Sequence, residues 1–403
     1  MITDGAGEQR ASVCAWESGS PSWYILFMRF RGINLLRIHG TQISIDYSWF
    51  VVLFLVVYSI AENYFPQPEK FRLTPEYWLI GITAACLLFL SVLAHELAHS
   101  LVALRQGIRV LSIRLFFFGG LTQVSSEPQS GRNEFLIAVA GPATHMVIAL
   151  GAGFVTLLLM AGSFPSVAAV ASFVALANFL LALLNMIPGF PLDGGRILRA
   201  ILWDRWNDLT RATKTVSQIG NSFALFLILL GVILLFFTQA ILGGLWVVFI
   251  GLIMKQSAVG SYQAAVLKEA LSGVQIRQIM TENVISVDWL KSLEELVKEY
   301  VYRFQFTSFP VFDRDEFMGM VSLSDVRAVP KELWGFKQVR DVMTPADHVV
   351  ALRPGDDATE ALSRMASADV GRMPVLEDGR LVGIVSRRDI MNLFKIKSDL
   401  GLT

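Results

Sequence analysis

Long apolar runs separated by short polar segments occupy the first two thirds of the chain. A helix needs about 20 apolar residues to cross a bilayer, and six runs approach or exceed that length. They lie at residues 45–61, 77–103, 134–161, 168–187, 220–239 and 241–256. The pattern therefore predicts an α-helical polytopic membrane protein with about six transmembrane helices, of which the last two form a tight helical hairpin.

The pattern changes near Val274, where shorter apolar runs alternate with charged segments as in a soluble α/β domain. Three pairs of landmarks recur here at a spacing of 64 residues: Pro310 and Pro374, Gly319 and Gly383, and Asp325 and Asp389. A fixed period indicates two copies of one supersecondary unit. We expect each copy to contain a short strand, a helix, two strands that meet at an acidic turn, and a second helix.

The composition supports a membrane protein. The chain is 54% hydrophobic and 17% charged, whereas soluble domains are about 25% charged. Its net charge is zero and no basic block is present, so we expect no nucleic-acid partner. The two cysteines, Cys14 and Cys86, provide neither a thiolate zinc site nor a disulfide framework. Residues 1–27 are polar and rich in glycine and serine, which predicts a disordered extension, and Met28 is an alternative start.

Basic residues are concentrated on one side of the predicted spans. The segment between the first two spans has only Lys70 and Arg72, whereas the opposite side carries many arginines, among them Arg105 and Arg109. The positive-inside rule makes that side cytoplasmic. We therefore expect a multi-pass protein of the cell membrane, with both termini and everything after Lys255 in the cytoplasm.

The second apolar run contains the motif HExxH, formed by His95, Glu96 and His99. Helix positions four apart share a face, so both imidazoles can reach one metal ion. The adjacent Glu96 can accept a proton from water that the metal activates. A polar stripe facing the helix bundle is the alternative, but ionisable groups at membrane depth are costly and are functional candidates by default.

A catalytic zinc ion needs three protein ligands and one open position. The best third ligand is Asp193, because it follows an apolar run in a stretch rich in proline and glycine, residues 185–196. Proline breaks a helix, and irregular backbone at membrane depth is tolerated only beside protein or a water-filled cavity. The alternative is a plain loop in which Asp193 caps the next helix.

The motifs HExxH at His95–His99 and NxxPxxPLDGGR at Asn185–Arg196, in this order, resemble the site-2 protease family of intramembrane metalloproteases. The resemblance covers about residues 33–256. It implies a catalytic Zn²⁺ bound by His95, His99 and Asp193, Glu96 as the general base, and Asn185 as a residue that helps to hold the oxyanion. The substrate would be a transmembrane protein whose helix unwinds locally before cleavage.

Two further sequence features can be compared with this family. Phe118-Gly119-Gly120 resembles the glycine pair of a membrane-associated hairpin, whose edge could pair with an unwound substrate. The family has AGPxxN or a relative of it in the third span, whereas this chain has His145 at the last position. His145 could pack against the core helix, act as a partner of a zinc ligand, or bind metal. We favour a buried histidine satisfied by a neighbour and leave it outside the ligand set.

Residues 274–396 resemble a tandem pair of cystathionine-β-synthase (CBS) domains. The whole chain therefore resembles the branch of the protease family that carries such a pair at its C-terminal end. The resemblance is strongest at two S-x-x-D elements, formed by Ser322 and Asp325 and by Ser386 and Asp389. The resemblance implies binding of ATP, ADP or AMP, with each aspartate holding ribose hydroxyl groups. Such a ligand would gate substrate access or drive homodimerisation. The alternative is that serine and aspartate only cap the following helix.

These features divide the chain into an N-terminal extension at 1–27, a transmembrane protease domain at 28–258, and CBS domains at 274–328 and 338–396.

Two other functions compete with the protease. A transporter or channel with a nucleotide-sensing CBS module explains the spans and the repeat but not the paired motifs. A catalytically dead scaffold is disfavoured because all expected ligands are present.

Overall fold

The structure is a computed structural model and describes residues 32–38, 41–63, 75–116, 119–160, 164–237 and 241–400. The predicted N-terminal extension, Cys14, Met28 and Phe118 lie outside these residues. The chain divides into two compact units between Ala265 and Val266. This division does not test the predicted domain boundaries, which stay predictions.

The first unit is built of helices. They are α1 Ser48–Asn63, α2 Pro75–Arg105, α3 Gly131–Met160, α4 Pro165–Asn185, α5 Asp193–Trp206, α6 Leu209–Phe237 and α7 Ile241–Leu271, the last of which continues into the second unit. Among the described residues, five helices are long and apolar enough to cross a membrane: α2, α3, α4, α6 and α7. The run predicted at 45–61 forms the shorter apolar helix α1.

The outer faces of these helices carry large apolar side chains. Leu157 on α3 is 69% exposed and Phe237 on α6 is 82% exposed. Such surfaces are stable only against lipid or another protein, and helices satisfy their backbone groups internally, as a bilayer requires. These helices agree with the predicted polytopic α-helical fold.

A four-stranded sheet packs beside the helices, although the apolar pattern did not predict it as a whole. Its strands are β1 Gly32–Ile38, β2 Thr41–Asp46, β3 Val110–Phe116 and β4 Gly119–Val124, in the spatial order β1-β2-β3-β4. β2 and β3 are parallel, and the two other pairs are antiparallel. Ile43 and Ile113 pack with Ala103 of α2 and Ile137 of α3. β4 forms one edge of this sheet and is hydrogen-bonded to α2 through Thr122.

The second unit repeats one motif, as the sequence predicts. The first copy begins with β5 Val287–Asp288 and helical turns over Leu293–Glu295, Leu296–Val301 and Tyr302–Phe304. It continues with β6 Ser308–Asp313, β7 Glu316–Ser322 and α8 Leu323–Arg327. A short strand, β8 Thr344–Pro345, also pairs with β7. The second copy has α9 Ala358–Ser367, β9 Arg372–Glu377, β10 Arg380–Ser386 and α10 Arg387–Asp399. In each copy the two longer strands pair antiparallel.

The two cores of this unit follow the repeat. Phe309, Val311 and Val321 form the centre of one core, and Met373, Val375 and Val385 form the centre of the other. Each residue of the first set is matched 64 positions later by one of the second. The period in the sequence therefore records the same inward-facing strand positions in both copies.

Candidate active site

The HExxH motif lies within α2, on a face that is closed to solvent. His95, Glu96 and His99 are all at least nine-tenths buried. The i and i+4 positions place the two imidazole rings together, with ring centroids 4.6 Å apart and nearly perpendicular planes. Their Nε2 atoms are 3.0 Å apart. Both rings therefore present the same nitrogen to one point.

Asp193 completes this group from a different helix. It is the first residue of α5, its side chain is nearly buried, and Leu192 occupies the capping position without a side-chain hydrogen bond. The Asp193 Oδ2 atom lies 3.3 Å from His95 Nε2 and 3.3 Å from His99 Nε2. The carboxylate thus faces the imidazoles and does not cap its own helix.

The donor set fits a zinc ion. Tetrahedral zinc holds nitrogen and oxygen ligands at about 2.0–2.2 Å, which places the ligand atoms roughly 3.3 Å from each other; the three atoms here are 3.0–3.3 Å apart. A neutral His99 whose Nδ1 donates to the Ile137 carbonyl oxygen, 2.6 Å away, keeps its lone pair on Nε2. Two imidazole nitrogens and a carboxylate oxygen this close together form a group that one cation can bridge. Histidine and carboxylate ligands suit zinc.

Helix α3 shapes the other side of this group. It supplies the Ile137 carbonyl group that orients His99, the kind of outer partner that metal-ligating histidines usually have. Gly141 lies so close that a Cβ atom there would stand 2.3 Å from His99 Nε2 and 2.6 Å from His95 Nε2. Only glycine leaves room for both imidazoles at this position.

His145 lies one turn further along α3 and is buried. Its Nδ1 atom donates to the Asn178 Oδ1 atom at 2.7 Å, and its ring centroid is 4.6 Å from that of His95. The three side chains that are grouped tightly enough to hold one metal ion are His95, His99 and Asp193, among the residues described. The structure thus favours the interpretation of His145 as a histidine satisfied by a neighbour.

A buried ion pair fixes α5, which carries Asp193, against α3. Arg199 of α5 donates from Nε to both carboxylate oxygens of Glu134, at 2.9 and 3.1 Å, and its second guanidinium nitrogen also contacts the carboxylate. Glu134 is 1% exposed. The Arg199 guanidinium also lies 5.2 Å from the ring centre of Phe190, in the segment that leads to Asp193. Sequence reasoning missed this pair, although a glutamate at the start of an apolar run was its signal.

Glu96 points toward the edge strand β4. Thr122 Oγ1 donates a hydrogen bond of 2.8 Å to Glu96 Oε2. A Cβ atom at Gly120 would stand 2.1 Å from Glu96 Cγ. The strand that carries the predicted glycine pair is therefore in direct contact with the predicted base, and Thr122 is a second residue that sequence reasoning missed.

The other predicted site residues are placed as follows. Asn185 is the last residue of α4 and is half-buried, and no described residue hydrogen-bonds to its side chain. In the second unit, Asp325 Oδ2 accepts from the backbone and the hydroxyl group of Ser322, and Asp389 Oδ2 accepts in the same way from Ser386. Both S-x-x-D elements are thus complete capping boxes at the starts of α8 and α10.

A cation lies near the second of these elements. Arg372 is half-buried, and its guanidinium stacks 3.8 Å from the ring centre of Phe306. Burial lowers the pKa of Arg372, while the nearby Asp389 carboxylate raises it. Ser308 occupies the equivalent position of the first copy. The two halves of the repeat therefore differ in charge at this point.

The family assignment follows from comparison with known proteins. The chain matches the model of Peptidase family M50 over residues 83–169 and 161–231, which include the HExxH motif and Asp193, and the model of the CBS domain over residues 276–332 and 339–396. The chain belongs to Peptidase family M50, the site-2 protease family, and is a zinc metalloprotease of membranes with a CBS pair. The predicted family is confirmed, and this membership does not support a transporter.

Its relatives cover nearly all of the chain. It is 34% identical over 90% of its length to a Mycobacterium tuberculosis protein named "Putative zinc metalloprotease Rip3", of which 93% is covered. It is 29% identical over 91% of its length to the zinc metalloprotease MJ0392 of Methanocaldococcus jannaschii, of which 98% is covered. A solved structure of a site-2 protease from M. jannaschii is 28% identical and covers 58% of this chain and 95% of that one, with a TM-score of 0.42.

Proposed function

We propose that this chain is an intramembrane zinc endopeptidase in which His95, His99 and Asp193 hold the metal ion and Glu96 is the general base. The observation that carries the proposal is the triangle of ligand atoms 3.0–3.3 Å apart, which two separate helices bring together in a buried site. When bound, zinc supplies Lewis acidity, which activates water and polarises a carbonyl group.

The side chains around the three ligands have separate roles in the proposed reaction. Glu96 accepts a proton from the attacking water and later donates it to the leaving amine. Asn185, at the end of α4, is proposed to donate from its amide group to the carbonyl oxygen on which negative charge develops. The Ile137 carbonyl group holds the His99 ring in the tautomer that a metal ligand needs.

The substrate is proposed to be a transmembrane helix that unwinds near its scissile bond. A helix in lipid has all its backbone groups hydrogen-bonded, so a carbonyl group becomes accessible only after local unwinding. β4 forms one edge of its sheet, and an edge strand offers unpaired backbone groups to an added strand. An unwound substrate segment on β4 would lie beside Glu96, which Thr122 of β4 contacts.

The test compares the purified wild-type protein with Glu96→Gln on a single-span reporter in detergent. Without its base the enzyme should cleave about 10²–10⁴-fold more slowly and should retain its zinc. A glycine pair inserted near the reporter's cleavage site should accelerate cleavage by the wild type. Undiminished cleavage by Glu96→Gln would reject the mechanism, and no benefit from any helix-weakening insertion would reject the unwinding step.

The CBS pair is proposed to bind an adenine nucleotide and to regulate cleavage, by gating access or by homodimerisation. Asp325 and Asp389 each use Oδ2 for capping, which leaves Oδ1 for ribose hydroxyl groups. The cation Arg372 near Asp389 favours the second half for the phosphate groups, because guanidinium groups bind phosphate strongly.

Calorimetry and cleavage assays of the full chain with ATP, ADP and AMP test this regulation. Asp389→Asn should weaken binding of the effective nucleotide, whereas Asp341→Asn is the matched control because Asp341 occupies the same place in a capping box outside the S-x-x-D elements. Absence of heat and of any effect on cleavage with all three nucleotides would leave the pair a structural role only. Equal losses in both variants would assign the effect to capping.

The orientation of the chain is a further part of the proposal. The arginine-rich side, both termini and the CBS pair are proposed to face the cytoplasm, because basic residues near membrane spans stay on that side. Reporter fusions after Lys255 and in the segment between α1 and α2 should report opposite sides of the membrane. The same side for both fusions would contradict the topology.

A further inference from the structure

The side chain of Glu96 is held by a residue of the edge strand. Thr122 Oγ1 donates to Glu96 Oε2 at 2.8 Å, although the two residues are 26 positions apart and lie on different elements. Glu96 is 8% exposed. Among the described residues, none donates to the other oxygen, Oε1. One carboxylate oxygen is thus fixed and the other is available to exchange a proton.

The local sequence of β4 explains this contact. Alternate residues of a strand point to the same face, so Gly120 and Thr122 both face α2. The absent side chain of Gly120 lets the strand approach until a Cβ atom there would stand 2.1–2.6 Å from Glu96 Cγ, Cδ and Oε1. Thr122 then supplies the hydroxyl group at hydrogen-bonding distance. Glycine and threonine two residues apart thus position the Glu96 carboxyl group together, one by leaving space and the other by donating a hydrogen bond.

We propose that Thr122 is a positioning residue for the base, which holds the Glu96 carboxylate in the rotamer needed to take a proton from water. A glutamate side chain has three rotatable bonds, and fixing it at the reaction step costs conformational entropy. A hydroxyl donor on a rigid strand fixes the side chain when the protein folds, so the entropy is lost before the reaction step. Removing the hydrogen-bond partner of a metal ligand typically changes activity about 10–100-fold, and we expect a loss of the same order for a partner of the base.

The contact also connects the base to the surface where the substrate is proposed to dock. Thr122 lies on β4, whose outer edge would receive the unwound substrate segment. A strand added at this edge restricts the motion of β4 and, through Thr122, that of Glu96. This coupling rests on the role of Glu96 in the proposed function, but the hydrogen bond itself does not.

The experiment compares Thr122→Val, Thr122→Ser and the wild type as purified full-length enzyme on the single-span reporter. Valine keeps the shape of threonine but cannot donate, whereas serine keeps the donor. Thr156→Val is the control, since the Thr156 hydroxyl group donates to the Ala152 carbonyl oxygen of its own helix, α3. Thr122→Val should lower kcat about 10–100-fold with little change in KM and in zinc content. Thr122→Ser should recover most of kcat.

Hydrogen exchange provides a readout that does not depend on cleavage. Loss of the hydrogen bond between β4 and α2 should make the β4 amides exchange about fivefold faster in Thr122→Val than in the wild type, while Thr122→Ser and Thr156→Val should match the wild type.

A Thr122→Val enzyme with wild-type kcat, or one that serine does not rescue, would overturn the proposal. So would a loss that appears wholly in KM or in zinc content. If Glu96→Gln itself cleaves normally, the proposed function fails instead; faster β4 exchange in Thr122→Val would then still establish the contact.

Discussion

At the residue scale, the site combines one local motif with contacts that no local pattern contains. The spacing of His95 and His99 predicts that they share a helix face, and this is what α2 provides. Asp193 was predicted as a partner from a helix break 94 residues later, and its Oδ2 atom lies 3.3 Å from both Nε2 atoms. That these three residues bind zinc stays a prediction until a metal is measured.

The close packing at Gly141 gives a sharp residue-scale prediction. Gly141→Ala would place a methyl group 2.3 Å from His99 Nε2, a distance at which the imidazole must move away from the metal. We expect zinc content, measured by mass spectrometry of the purified protein, to fall well below one ion per chain. Gly151→Ala is the matched control on the same helix, because a Cβ atom there meets nothing within 4 Å.

A Gly141→Ala protein that retains a full equivalent of zinc would contradict this role of α3 in shaping the ligand group. If Gly151→Ala also loses zinc, the effect comes from α3 as a whole and not from contact with the imidazoles. Alanine favours helix over glycine by about 1 kcal/mol, so helix propensity alone cannot explain a loss in either variant.

At the element scale, hydrophobic patterning located the helices but not their ends. The fifth apolar run was predicted at 220–239, whereas α6 begins at Leu209 and includes Arg211 and Lys214. The part of the helix before the run combines these charged residues with buried ones such as Ala212 and Val216, so it lacks a continuous apolar pattern. The sheet β1–β4 escaped prediction because no internal repeat marks its strands and its central pairing is non-local: Gln42 of β2 pairs with Ser112 of β3.

The ion pair between Glu134 and Arg199 gives a prediction about how elements are held together. Arg199→Leu leaves a carboxylate buried without its partner, which typically costs about 3–5 kcal/mol. The thermal midpoint in detergent should fall markedly. In the double variant Glu134→Leu, Arg199→Leu, no charge is left unpaired, and much of the stability should return.

The double variant also decides whether the pair acts as a pair. A midpoint for the double variant at or below that of Arg199→Leu would show that Arg199 contributes through packing on Phe190, 5.2 Å away, or through other contacts. Zinc content should follow the same order as stability, since α5 carries Asp193 and is anchored by Arg199.

At the scale of the whole molecule, the sequence was sufficient to predict the class of protein. Two motifs in apolar runs gave the protease family, and a 64-residue period gave the CBS pair; both agree with the family models that match the chain. The roles of the S-x-x-D elements are not decided by geometry, because both are occupied in helix capping. Thr122 and Glu134 could not be assigned roles, because their partners come from distant segments.

The proposed function depends on one zinc ion held by the two imidazoles of α2 and the carboxylate of Asp193. Anomalous scattering at the zinc absorption edge, from crystals of the wild-type protein, tests it most directly. We expect one strong peak about 2.0–2.2 Å from His95 Nε2, His99 Nε2 and Asp193 Oδ2. A zinc peak bound elsewhere, or a zinc ion at the histidines with Asp193 beyond bonding distance, would contradict it.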